Sequence, residues 1–333
     1  MRSTLLVGVG AFGFVAAVPT TVSAQQPASM PAVPPCTVSV AIPPAAPRGG
    51  GAGGGARGGG LGGPPATAAA VPEPPLLIKV TDAVYVVQNA NHTVAELGVW
   101  GGNATIYVTA GGVILVDSKS AREHDDLVAK VKSVTDKPIK YVVLTHNHGD
   151  HTGGAARLQQ EGATIIISSD DRANLARANQ AGMINVTYSG RGSLYLSGSE
   201  MQLTQYCGHT RGDTVAYFPA ARVIAVGDLV AWPDTIPAIV NYPDGGNWTD
   251  TLKTLDAIGQ LPWDTLIPGH GPTMTKSDFA TYRMKFKAVV ARTREMVKLG
   301  RTQQEISEAL GKEFNWGAGP SANTLPGLMI EVK

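Results

Sequence analysis

The chain has 333 residues, room for one large domain or two small ones, and a formal net charge of +1 with 16% charged residues. That balance excludes the basic stripe of a nucleic-acid binder and gives no polybasic signal for a membrane surface. With 43% hydrophobic residues the chain can bury a core, while its 40 glycines and 23 prolines are unevenly spread.

Residues 1–24 read as a secretory signal peptide. Arg2 supplies the positive start, Leu5 to Val18 form an apolar stretch, and Val22-Ser23-Ala24 is a small-residue cleavage site. The apolar stretch falls short of the roughly 20 residues of a membrane-spanning helix, so no integral membrane segment is expected after cleavage. The expected location is periplasmic or secreted. Residues 25–75 read as a disordered linker, proline-rich at first and almost all glycine from Arg48 to Gly63. Such composition buries too little apolar surface to offset the entropy of ordering, so no structure is assigned there. Cys36 and Cys207 do not make a disulfide framework. A bridge between them is open in an oxidising compartment, and a buried free thiol at Cys207 is the plainer expectation.

From Leu76 to the end, residues 76–333 read as one folded domain. Val84–Gln88, Thr105–Thr109 and Val113–Val116 read as strands, the last two joined as a hairpin. Leu127, Val128, Val131 and Val134 repeat at helical spacing. Tyr141–Leu144 is a buried strand running into a histidine-rich segment, followed by a helix over Gly154–Gln160, a strand at Ile165–Ser168 and a helix near Arg172–Gln180. After an irregular stretch, Met201–Tyr206, Val215–Phe218 and Val223–Val226 read as strands. Trp248, Leu252, Leu255 and Ile258 share a helix face, and Thr265–Ile267 is a short strand. Thr275 and Asp278 cap a helix that runs to Gly300. Thr302-Gln303-Gln304-Glu305 is a capping box for one more. Two β-rich halves, each finished with helices, imply an α+β fold with two packed sheets covered by helices.

Five of the seven histidines fall in three short segments, each after a predicted strand: His146-x-His148-x-Asp150-His151, Gly208-His209-Thr210 and Gly269-His270-Gly271. A further predicted strand ends at Gly227-Asp228. Ligands at strand ends converge on one sheet edge, and His146 and His148, two apart in extended chain, project the same way. Neutral imidazoles with carboxylates suit zinc first and iron or manganese next. Seven ligands exceed one tetrahedral ion and divide between two metals sharing a carboxylate. His92 and His124 lie outside this pattern. His124 sits among charged residues and reads as part of a solvated helix face.

The run Thr145-His146-Asn147-His148-Gly149-Asp150-His151-Thr152-Gly153-Gly154 resembles the signature of the metallo-β-lactamase superfamily. Gly208 to Asp213, Gly227-Asp228 and Pro268 to Gly271 fit its later motifs in order. The resemblance spans about Val80 to Met274. It implies an αββα sandwich with a dinuclear site at one edge. It places His146, His148 and His209 on the first metal, Asp150, His151 and His270 on the second, and Asp228 between them, with Asp117 orienting a ligand histidine.

The resemblance further implies two Zn(2+) per chain and hydrolysis by a metal-bridging hydroxide, with Asp150 orienting it as the catalytic carboxylate. Asp228 is similar to the bridging aspartate of glyoxalase II, lactonases and quinoprotein-relay-type hydrolases. With the signal sequence, it points most to the periplasmic quinoprotein-relay-type group. The expected substrate is a small ester, thioester, lactone or lactam. A β-lactamase acting on antibiotics and a one-iron persulfide-dioxygenase-type oxidoreductase are the alternatives, and a non-catalytic relay component is a third class. Lys285, Lys287, Arg292 and Arg294 read as an ordinary solvated helix face rather than a glutathione clamp. The loops His92–Asn103, with Trp100, and Ala231–Asn247, with Trp232, Asn241 and Tyr242, are the expected pocket walls.

Overall fold

A computed structural model describes residues 32–37, 72–178, 184–231, 240–315 and 318–333. The expected signal peptide, most of the expected linker and Trp232 lie outside the described residues. Strands β1 (Leu76–Lys79), β2 (Val84–Gln88), β3 (Ala104–Thr109), β4 (Gly112–Val116), β5 (Ile139–Val143), β6 (Thr164–Ser168) and β7 (Val186–Tyr188) form one sheet in that spatial order. β3 and β4 make the expected hairpin, closing at Thr109 opposite Gly112. From β4 to β7 neighbouring strands run parallel.

The second sheet holds β8 (Arg191–Leu196), β9 (Ser199–Tyr206), β10 (Asp213–Phe218), β11 (Val223–Ala225) and β12 (Thr265–Ile267), in the order β12-β11-β10-β9-β8. β10 is antiparallel to both β9 and β11, and β12 is parallel to β11. Thus β9, β11 and β12 all point the same way, and their C-terminal ends share one edge.

Two apolar layers hold the sheets. Val86, Ile114, Val116 and Val143 of the first sheet pack with Met201, Ala216, Phe218 and Ala225 of the second. Period-two alternation sends Val87, Ile106, Leu115 and Val142 to the opposite face of the first sheet. There they meet helices α2 (His124–Val134), α4 (Ala155–Gln160) and α5 (Ser169–Arg177) through Leu127, Val131, Leu158 and Leu175. Helices α6 (Trp248–Gln260) and α7 (Lys276–Lys298) pack on each other and α7 reaches β12, with Trp248 stacked on Phe286 and Trp263 against Phe279. The result is the expected α+β sandwich of two sheets flanked by helices.

Several expectations are corrected. The His92–Asn103 loop contains helix α1 (Val94–Trp100), started by a capping box between Thr93 and Glu96. The stretch expected to be irregular before Met201 carries β7 and β8. After α8 (Gln303–Phe314) the chain forms another helix, α9 (Ala318–Glu331), despite Pro326 inside it. Leu325 and Leu328, fully buried, anchor that helix against its neighbours. His124 is 1% exposed rather than solvated, its Nε2 2.8 Å from Glu161. Cys207 is not a free thiol: it is bonded to Cys36, across 171 residues of chain. That bridge, with Thr37 N–H and hydroxyl donating to Asp250, gives residues 32–37 of the expected linker a fixed place on the domain. Among the described residues, no helix is long and apolar enough to cross a membrane.

Candidate metal centre

The site forms where the strands end together. β5 leads into Thr145 and His146, β9 into His209, β11 into Asp228 and β12 into His270. The four-residue helix α3 (Gly149–Thr152) turns Asp150 and His151 back toward the same edge. All seven sequence-predicted ligands are brought together there in two groups. His146, His148, His209 and Asp228 offer ligand atoms within 4.8 Å of one another, and Asp150, His151 and His270 form a second such group.

In the first group His148 Nδ1 lies 3.1 Å from His146 Nε2 and 3.0 Å from His209 Nε2. In the second, His151 Nε2 lies 3.2 Å from His270 Nε2, and Asp150 Oδ2 lies 3.3 Å from the latter. Asp228 stands between the two. Its Oδ1 is 3.3 Å from both His151 Nε2 and His270 Nε2, while Oδ2 faces His146 and His209 at 4.0 and 3.8 Å. His146, His151, His209, His270 and Asp228 are buried, whereas the side chains of His148 and Asp150 keep 24% and 29% exposure and form the open side.

The electrostatics are those of a cation site. Burial and the neighbouring His151 and His148 push His146 well below the ordinary imidazole range, leaving it neutral. Burial also disfavours charge on His151, but Asp228, Asp150 and Asp117 outweigh it and raise that ring well above its usual value. For Asp228, burial is outweighed by His270 and His151, so its carboxylate is held far below the ordinary range. Asp150 is likewise lowered, by His151 and His270 against burial. Ring nitrogens converging on ring nitrogens at about 3 Å waste lone pairs unless something positive lies among them.

This donor set fits two divalent cations. Asp228 Oδ1 is buried without a hydrogen bond, and imidazole and carboxylate donors with an open side match a catalytic rather than a closed structural site.

Residues around the ligands fix their aim. Asp117, in left-handed conformation at φ 65, takes a 2.8 Å hydrogen bond from His151 Nδ1. It also accepts from Thr145 N–H and hydroxyl, so one carboxylate sets both the ring tautomer and the start of the histidine segment. His148 Nε2 lies 3.1 Å from Asp244 Oδ2 and 2.7 Å from the Asn241 amide. Gly102 lies against the His151 ring, where any Cβ would collide with Cε1 and Nε2. Gly102 N–H donates to Asp150 O, and Asn103 donates through its backbone to Gly269 O and through its amide to Pro268 O and Gly271 O. Lys119, wholly buried, donates to Gly102 O and Asn89 Oδ1, and burial lowers its pKa to about 8. Sequence reasoning missed Gly102, Asn103, Lys119 and Asp244. Gly102, Asn103 and Asp244 fall inside the two loops expected as pocket walls, but none was singled out, and Lys119 left no signal.

Of the α7 cations, Lys285, Lys287 and Arg294 are exposed as expected, while Arg292 is half-buried; Lys287 pairs with Asp256, and Arg292 with Glu295 and Glu313.

Comparison with known proteins agrees with this geometry. The family described as the metallo-beta-lactamase superfamily matches residues 97–270. A "Beta-lactamase-like protein 2 homolog" of Caenorhabditis elegans is 25% identical over 237 residues, 69% of this chain and 75% of that protein. A "Hydroxyacylglutathione hydrolase" of Xanthomonas axonopodis pv. citri is 30% identical over 143 residues, 42% of this chain, which thus spans about half (51%) of that relative. A solved metallo-beta-lactamase from Pontibacter korlensis superposes with a TM-score of 0.55 at 21% identity, covering 64% of this chain and 99% of that one, a likeness of fold. The chain therefore belongs to the metallo-beta-lactamase superfamily, as one of its metal-dependent hydrolases.

Proposed function

We propose that the protein is an exported dinuclear zinc hydrolase acting on an ester, thioester, lactone or lactam of modest size. The observation that carries this reading is the position of Asp228, one carboxylate oxygen toward each donor group. His146, His148 and His209 would hold one cation, Asp150, His151 and His270 the other, with Asp228 between them. When bound, two such cations supply Lewis acidity and lower the pKa of water toward neutrality.

The chain's own residues do the rest. Asp150, kept ionised by His151 and His270, accepts a hydrogen bond from the attacking water on the solvent side and orients it. Asp117 keeps His151 in the tautomer with Nε2 toward the centre. The buried histidines and the close-packed Gly102 segment exclude bulk water from behind the site. No side-chain nucleophile is required, and Cys207 is committed to its disulfide.

Export is supported by the signal-like start of the sequence and by the Cys36–Cys207 bridge, which persists in an oxidising compartment such as the periplasm. A thioester is among the proposed bonds because the Xanthomonas relative is named for hydrolysing hydroxyacylglutathione. Lys287 and Arg292 of α7 are already paired with acidic neighbours, which does not favour a glutathione clamp there.

The test is a hydrolysis screen of the zinc-loaded protein with nitrocefin, a panel of lactones and S-lactoylglutathione, run beside His148→Ala. Turnover of at least one substrate is expected, with activity in the variant reduced to background. A fully active His148→Ala protein, or silence across the panel, would contradict the reading.

A further inference from the structure

The far end of the chain reaches the first donor group through an unbroken set of contacts. Glu331, two residues from the C-terminus, places its carboxylate on the N-terminus of α6. Oε1 accepts from Trp248 N–H at 2.9 Å, and Oε2 accepts from Thr249 N–H at 2.8 Å and its hydroxyl at 2.7 Å. These are amides that a helix start leaves without intrahelical partners, and the helix dipole favours an anion there.

The same Oε1 accepts the phenol of Tyr242, a ring only 5% exposed. Gly327 of α9 lies so close that a Cβ would collide with that ring, so helix and phenol are packed as well as bonded. Tyr242 opens the short turn Tyr242–Asp244, whose other end carries the Asp244 carboxylate.

That turn grips the metal-side residues at several points. Asp244 Oδ2 meets His148 Nε2 and the Asn147 amide, both at 3.1 Å. Asp244 O accepts from Arg211 N–H and from the Asn174 amide, while Asn241 N–H donates to His209 O at 2.8 Å. Both His148 and His209 therefore depend on where this turn sits. The second donor group is held elsewhere, by Asp117, Gly102 and Asn103.

We propose that α9 is a positioning element for the first donor group: Glu331, through Tyr242 and the start of α6, fixes the Asn241–Asp244 turn that aims His148. Glu331 and Tyr242 are positioning residues, distant from the reacting atoms. The proposal rests on the reading of His148 as a metal ligand.

The experiment titrates the apo full-length protein with Co(2+), following the visible spectrum and the stepwise affinities of wild type, Tyr242→Phe, Glu331→Gln and Asp244→Asn. Thermal unfolding of each apo protein controls for folding. Tyr242→Phe removes one hydroxyl and keeps the ring packed, so it tests the contact even if Glu331→Gln fails to fold. The expected result is a loss of about 10-fold or more in affinity at one of the two sites, with its Co(2+) spectrum altered and the other site unchanged. The double variant Tyr242→Phe/Asp244→Asn should lose little more than Asp244→Asn alone. Wild-type protein binding two Co(2+), with Tyr242→Phe and Glu331→Gln matching it in both affinities and spectrum, would overturn the positioning role alone. An equal loss at both sites would also overturn it. Wild-type protein that binds no Co(2+) would overturn the ligand reading, and the positioning role with it.

Discussion

Gly102 leaves the second half of the site no tolerance for a side chain. A Cβ there would meet His151 Cε1 and Nε2 as well as Gly269 O at less than 3.0 Å. Gly102→Ala forces either the ring or the backbone to move, and overpacking of this kind costs about 1–3 kcal/mol. Because Asp117 holds the ring from the far side, the displacement falls on Nε2. The variant should lose one bound zinc per chain, read by metal analysis beside chemical denaturation; a variant retaining both zinc ions at wild-type stability would refute this packing account. Glu123 offers a different single-residue test. Burial raises its pKa to about 8, as does the hydrogen bond to Asp126, against the pull of Lys119. The folded chain then keeps this proton while the unfolded chain has lost it, so stability from Glu123 is complete below about pH 4.5 and disappears as pH rises through about 8. Melting temperature should therefore fall from pH 5 to pH 8 more steeply in wild type than in Glu123→Gln; equal slopes would disprove it. His146, Asp228 and His270 were legible because residue type and strand-end spacing carry their chemistry. Gly102, Lys119 and Asp244 act through what lies beside them in space, and no spacing encodes that.

Among the elements, strands with strong apolar runs were legible nearly to the residue, as β4, β10 and β12 illustrate. The misses have separate causes. α1 is only seven residues long with Gly98 inside it, too short for a helical repeat to show, and its Thr93–Glu96 capping box was its clearest sign. β8 alternates exposed and half-buried residues at a sheet edge, so pairing with β9 rather than burial defines it. α9 contains Pro326 and is helical because Leu325 and Leu328 are buried, a tertiary effect overriding propensity. The segment 32–37 was read as linker from composition, yet the bridge from Cys36 to Cys207 and the bonds from Thr37 to Asp250 seat it. Closing 171 residues of chain restricts the unfolded ensemble strongly. Cys36→Ser should lower unfolding free energy by about 2–5 kcal/mol in non-reducing denaturant, and reductant should lower the wild type to the same level. Identical midpoints with and without reductant would contradict the bridge.

For the molecule as a whole, topology explains why ligands far apart in sequence meet. β9, β11 and β12 point one way in their sheet, β4 and β5 run parallel in the other, and loops after these strands share one edge of the sandwich. The apolar layer between the sheets sets their spacing and so the distance between donor groups. Asp228 is the residue in which the two sheets' contributions meet, with His151 from the first and His209 and His270 from the second. The most direct test is the metal content of purified zinc-loaded protein compared with Asp228→Asn. Two zinc ions per chain are expected in the wild type, falling to one or none in the variant with loss of hydrolysis. A single iron in the wild type, or two zinc ions retained by an active Asp228→Asn protein, would contradict the shared-carboxylate centre.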